Sequence, residues 1–186
     1  MFGSNCNEEA TLYYLYMMAD GNVSYSEEKI FDEICKELNL DTDEKNSVIE
    51  KCKGFAANET DVFSIVVREK IDEQVGQGWL GFGLRDASSL ARIIWNLVNL
   101  GYADSSYSDE EKKIVNYLVA KWSVSTEIYQ ELVDIAETML ALTKQRGWIA
   151  SIFSKDSIRD KKERKVDSEI KHLLEDVNLT IQELTM

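Results

Sequence analysis

The sequence predicts an all-α protein, a bundle of about seven to nine helices built from two copies of one helix-turn-helix unit. Three observations predict it. The first is an internal repeat: "MADGNVSYSEEKIFDEICKELNLDT" from Met18 aligns without a gap on "YADSSYSDEEKKIVNYLVAKWSVST" from Tyr102, an offset of 84. Ala19, Asp20, Ser24 and Glu27 recur as Ala103, Asp104, Ser108 and Glu111, while Ile30, Phe31 and Ile34 become Ile114, Val115 and Leu118. The second is the absence of proline from all 186 residues; a loop-rich or β-rich chain would carry about 5%. The third is spacing. Ile30, Ile34 and Leu38 fall one helical turn apart, as do Ile114, Leu118 and Trp122, which marks one buried face on each helix.

The elements follow in order. An apolar helix ends near Ala19 and an acidic turn follows. Ser24-x-x-Glu27 then opens the next helix as a capping box, in which serine accepts from an orphan N–H and glutamate reaches back to the cap N–H. Asp41-Thr42 marks another start, before a helix carrying Val48, Ile49 and Cys52. One further stretch holds Val62, Phe63, Val66, Val67 and Ile71. "VGQGWLGFGL", residues 75–84, carries four glycines and reads as a loop with Trp79 and Phe82 packed on the bundle. Asp86 caps a helix with Leu90, Ile93, Ile94, Leu97 and Val98. The second acidic turn, the box Ser108-x-x-Glu111, and a start at Ser125-Thr126 repeat the pattern. Ile128, Leu132, Ile135 and Met139 line the last helix of the unit. The expected organisation is a bundle over 1–143, with units at about 8–55 and 90–143, and a tail over 144–186.

The tail differs in composition. Lys144 to Lys165 holds eight Lys or Arg against three Asp or Glu, a net of +5 in a chain of net charge −13. "RGWIASIF" sits inside it. Val166, Ile170, Leu173, Val177 and Leu184 then follow a heptad pattern interrupted by Thr180, which suits docking on the bundle or pairing two chains into a homodimer.

Charge and composition exclude some functions. A chain this acidic lacks the basic face that nucleic acid requires, so no nucleic-acid partner is expected. Cys6, Cys35 and Cys52 are odd in number with no CxxC pair, which reads as free thiols in a reducing compartment. No apolar run approaches the roughly 20 residues of a membrane span, and Glu8 and Glu9 stand where a signal peptide would be basic. A cytoplasmic protein is expected.

Chemistry-bearing motifs are few. Gly76-x-Gly78-x-x-Gly81 matches the dinucleotide fingerprint as a string, but a charged helical stretch precedes it where the fingerprint needs a strand. Asp20, Gly21, Val23 and Glu27 match positions 5, 6, 8 and 12 of a calcium-binding loop. Tyr16 and Met18 fall at positions 1 and 3 and cannot donate carboxylate oxygens, so an EF-hand is excluded. The turns read either as caps with dipole-stabilising carboxylates or as a site where Asp20, Glu27, Asp104 and Glu111 meet near a pseudo-twofold axis and hold a hard divalent cation. His172 is the only histidine, so histidine-based metal or triad chemistry has nothing to build on. Trp148, Ile149, Ile152 and Phe153, with Lys161, Lys162, Arg164 and Lys165, either close the core or form a segment that docks a partner or a membrane surface.

"ADGNVSYSEEKIF" and "ADSSYSDEEKKIV" resemble the acidic turns of the tellurite-resistance TerB family and of the related domain in DjlA-type co-chaperones. The resemblance extends in organisation over residues 8 to 143, with Ser105 in place of the first turn's glycine. It implies an all-helical pseudo-symmetric bundle, stress-linked cytoplasmic roles, association with membrane-linked complexes, and a divalent-metal site at Asp20, Glu27, Asp104 and Glu111. The expected function is a non-enzymatic, stress-associated interaction module with a protein partner, holding calcium or magnesium at its acidic turns. The alternative is a ligand-free adaptor whose basic aromatic tail docks a partner helix or an anionic membrane, as a peripheral membrane protein.

Overall fold

The computed structural model describes residues 3–76, 86–105, 107–154 and 157–183. Among these, nine helices and no strand are found: α1 (Gly3–Met17), α2 (Tyr25–Glu37), α3 (Thr42–Ala56), α4 (Val62–Arg68), α5 (Ile71–Gly76), α6 (Ala87–Gly101), α7 (Asp109–Lys121), α8 (Thr126–Ile152) and α9 (Ser157–Glu183). The repeat is reproduced residue for residue. Adding 84 to the limits of α1 gives α6, and adding it to those of α2 gives α7.

The capping chemistry read from the sequence places these starts. Ser24 accepts from the Glu27 N–H while Glu27 accepts from the Ser24 N–H, and Ser108 with Glu111 does the same. Asp41 caps α3 with Glu44 as its return partner; Asp86 and Ser125 cap α6 and α8. Even the turn conformations repeat. Gly21 (φ 85°) and Ser105 (φ 72°) are both left-handed, as are Asn39 (φ 57°) and Ser123 (φ 55°), each pair 84 apart. Ser105 thus holds the glycine conformation at the backbone cost that an L side chain carries there.

The single helical stretch expected over 62–71 is two helices. Lys70, at φ 52°, breaks it between α4 and α5, and periodicity carries no signal for one left-handed residue. Of the glycine-rich segment, only Val75 and Gly76 are described, at the end of α5. The loop, Trp79, Phe82 and the other two fingerprint glycines lie outside the described residues.

α1 and α6 form the centre. Leu12, Tyr13, Leu15 and Tyr16 of α1 and Ile94, Leu97, Val98 and Leu100 of α6 are fully buried. α1 packs on α2, α3, α4, α5 and α7, while α6 packs on α2, α7, α8 and α9. The two units therefore interlock through α1 and α6, each touching the other unit's second helix. Polar groups inside are mostly satisfied: Tyr13 donates to Glu9 at 2.9 Å and accepts from Asn96 at 3.1 Å. Cys35 and Cys52 are buried, and burial pushes their thiols up to about 11 and about 12, the behaviour of inert core residues.

Gly101, at the end of α6, lies against Tyr16 of the first unit and Tyr107 of the second. A Cβ there would stand 2.4 Å from the Tyr16 hydroxyl and 2.6 Å from the Tyr107 ring. Gly101→Ala is expected to cost about 2 kcal/mol by overpacking, a fall in Tm of about 4–8 °C for a domain of this size. Gly54→Ala, on exposed α3 with nothing within 4 Å, should instead gain up to about 1 kcal/mol. Thermal unfolding of the two variants checks both signs.

α8 and α9 form a long antiparallel hairpin, tied by Arg146 to Asp167 at 2.7 Å and Thr180 to Glu131 at 2.9 Å. The expected boundary at 143/144 falls inside α8, which runs on unbroken through "RGWIASI". The C-terminal helix docks within its own chain, on α8 and α6, through Val166, Val177 and Ile181, with Ile170 and Leu173 half-buried. Leu184 lies outside the described residues. No described helix is long and apolar enough to cross a membrane.

Candidate functional site

The interlock of α1 and α6 carries the two acidic turns toward each other. Glu27, in the first turn of α2, and Glu111, in the first turn of α7, are each only 3% exposed. Burying a carboxylate costs free energy unless it is paired, and among the described residues neither forms an ion pair. Burial pushes Glu27 above the usual range against the pull of the Ser24 bonds, and the charges of Asp104 and Asp20 push it further. Burial drives Glu111 up to about 7; its bonds from Ser108 oppose this, and Glu27 and Asp20 add to the rise. Glu27 thus feels both turn aspartates, and Glu111 feels Glu27 and Asp20 from the first unit.

Each turn also has an ordinary structural occupation. Glu27 and Glu111 accept their cap N–H groups at 2.7 and 2.8 Å, and the Ser108 hydroxyl adds a bond to Glu111 at 2.8 Å. Asp20 is exposed and accepts from the Asn22 N–H at 2.9 Å, holding the turn. Asp104 is half-buried in its own turn.

Sequence reading missed the aromatic wall behind these carboxylates. Tyr16, fully buried, has no hydrogen-bond partner for its hydroxyl among the described residues. Burial, with the neighbouring Tyr107 and Glu111, pushes that hydroxyl far above the ordinary phenol range. The Tyr107 and Tyr129 hydroxyls stand 3.4 Å apart, and the Tyr107 ring packs on Tyr102 at 4.9 Å. The available signal was the run "YYLY" at 13–16, directly before the first turn. It reads as core because Tyr13 and Tyr14 share it.

In kind, the donors fit a hard divalent cation: carboxylate oxygens, with an unsatisfied hydroxyl alongside. In placement they do not form a ready cage, because among the described residues no three His, Cys, Asp or Glu side chains stand close enough to hold an ion. His172 is exposed on α9.

The residues singled out in the tail separate into two groups. Trp148, Ile152, Lys161, Lys162, Arg164 and Lys165 are exposed or partly so, and Phe153 is half-buried. Ile149 is buried, at 4%. A separate groove of about 770 Å³ runs between α2 and the hairpin, over Trp95 and Asn96 of α6.

Fold and turns together define a class: an all-α module of two interlocked, repeat-related units, each with an acidic turn before its second helix. A family model described as "Tellurite resistance protein TerB" matches residues 8–132, well over half of the chain, and the chain belongs to that family. No curated protein and no solved structure matches it.

Proposed function

We propose that this tellurite-resistance-associated module works without catalysis, as an interaction unit whose two acidic turns bind a divalent cation, calcium or magnesium. One observation carries the reading. Two buried carboxylates from repeat-related turns lie in the fields of each other and of the turn aspartates, with no basic side chain among the described residues answering them. Such an arrangement is unfavourable in the ion-free protein, and a cation relieves it. Asp20 and Asp104 sit on turns, so they can swing toward Glu27 and Glu111 to complete the ligand set. The buried Tyr16 hydroxyl, which feels Glu111, is a neutral oxygen available to the same site. Binding would tie the two units together across the axis, and a protein partner would then read the tightened surface.

The test is thermal. Protein stripped with a chelator is titrated separately with calcium, magnesium, manganese and zinc, beside an Asp20→Ala/Asp104→Ala variant. An ion present at about 100 times its Kd contributes about 2.7 kcal/mol, which moves Tm by about 5–10 °C here. One ion raising Tm in the wild type and not in the variant supports the reading. Silence from all four would reduce the turns to helix caps.

A further inference from the structure

The family match ends at residue 132, near the start of α8, so most of the α8–α9 hairpin lies beyond it. Its outer half is built differently from the bundle. Ile149 and Val166 are buried there, but outside the main core, where the two helices face each other. Around them the surface is apolar and basic. Trp148, Ile152 and Ile158 are 58%, 57% and 57% exposed. Lys144, Trp148 and Ile152 share one stripe of α8, at i, i+4 and i+8; Ile158, Lys161, Lys162 and Lys165 share one of α9. The two stripes are linked, because Trp148 packs edge-on against Phe153 at 6.5 Å and Lys162 lies over the Phe153 ring at 5.2 Å. Lys144, Lys161, Lys162 and Arg164 make no ion pair among the described residues.

From this we infer that the hairpin end is a docking surface for an anionic lipid membrane. Charge and shape both favour lipid. The apolar groups are interleaved with lysines, whereas the core of a protein interface is depleted in lysine. Tryptophan with flanking lysines suits the headgroup boundary, where the ring enters the interface and the ammonium groups meet phosphates. The rest of the chain is strongly acidic and is repelled by such a surface. That repulsion fades beyond a Debye length of about 8 Å at physiological salt. Cations gathered at the end of a hairpin can therefore touch lipid while the bundle stands off. The inference is independent of the acidic turns.

The experiment is flotation of the full chain with phosphatidylcholine vesicles, with and without phosphatidylglycerol, at low and physiological salt. The wild type is expected to float with the anionic vesicles only, and less as salt rises. Each lysine near the surface contributes about fivefold to the partition. Lys161→Glu/Lys162→Glu/Lys165→Glu should therefore lower it by about a hundredfold or more, with a folded protein whose Tm falls only by a few degrees from the lost Lys165–Glu169 pair and Lys162–Phe153 contact. Trp148→Ser should lower it by about tenfold through lost apolar burial. No flotation of the wild type at low salt, equal flotation with neutral vesicles, or undiminished flotation of the lysine variant would each overturn the inference.

Discussion

Replacing Lys121 with methionine is expected to cost about 3–5 kcal/mol, a large share of the stability of a domain this size. The reason lies in Asp72, on the short helix α5 and only 1% exposed. Its Oδ2 accepts from Tyr117 at 2.7 Å and from the Lys121 ammonium, while its backbone carbonyl accepts from the Trp122 indole at 3.3 Å. Its Oδ1 is buried with no partner among the described residues. All three donors belong to α7 or the residue after it, so this cluster fixes α5 against the second unit. Removing the cation leaves a buried carboxylate with one neutral donor, the costly case for a broken buried pair. A second carboxylate, Glu73 at 3.7 Å from the Lys121 ammonium and more exposed, adds like-charge repulsion once the cation is gone. Adding Asp72→Leu to Lys121→Met should recover most of the loss, since an apolar pair of similar volume needs no partner. Denaturant unfolding of the two single variants and the double variant tests this as a cycle. Additive losses would show that the pair does not act as a unit.

What was legible in the sequence, and what was not, follows from the range of each interaction. The helix starts were legible because a capping box is complete within four residues: Ser24 with Glu27 and Ser108 with Glu111. The pseudo-symmetry was legible because apolar spacing and turn chemistry both repeat at one offset. The break at Lys70 was not, since one left-handed lysine leaves the apolar pattern on both sides intact. Nor was the Asp72 cluster. Its members are 45 to 50 positions apart, and nothing local distinguishes Asp72 from a solvated helix carboxylate. At the acidic turns, the four residue identities were readable from the repeat. The burial of Glu27 and Glu111 was not, because it depends on α1 and α6 packing across each other, with Gly101 against Tyr16. The same crossing buries Tyr16, whose place on the apolar face of α1 looks like core from the sequence alone. In the tail, the basic charge and the aromatics were visible. That they continue one helix, and then face outward on its hairpin, depends on α9 folding back along α8 and covering Ile149.

The acidic turns also set a pH dependence that runs opposite to ordinary acid denaturation. Glu111 binds its proton up to about pH 7 in the fold, against 4.5 for an ordinary glutamate. Between those values the folded protein holds more protons than the unfolded chain. Stability therefore rises as pH falls from about 7 to about 4.5, and gains nothing further from this group below that. Above pH 7 the full penalty of the buried charge applies, at most about 3 kcal/mol. Glu27 is shifted in the same direction, so the two reinforce each other. Glu111→Gln removes the charge and keeps an oxygen to accept the Ser108 N–H. The variant is thus expected to be more stable than the wild type at pH 8 by about 2–3 kcal/mol, about 4–12 °C in Tm, and to lose most of the rise on acidification. A glutamine that stabilises the protein would mark Glu111 as a residue retained against stability, the usual signature of a working site. The same variant should no longer respond to the cation that stabilises the wild type. Melting curves from pH 5 to 8, with and without that ion, decide the matter. An unchanged pH slope in Glu111→Gln would remove the buried carboxylate as its cause, and with it the electrostatic argument for a cation between the turns.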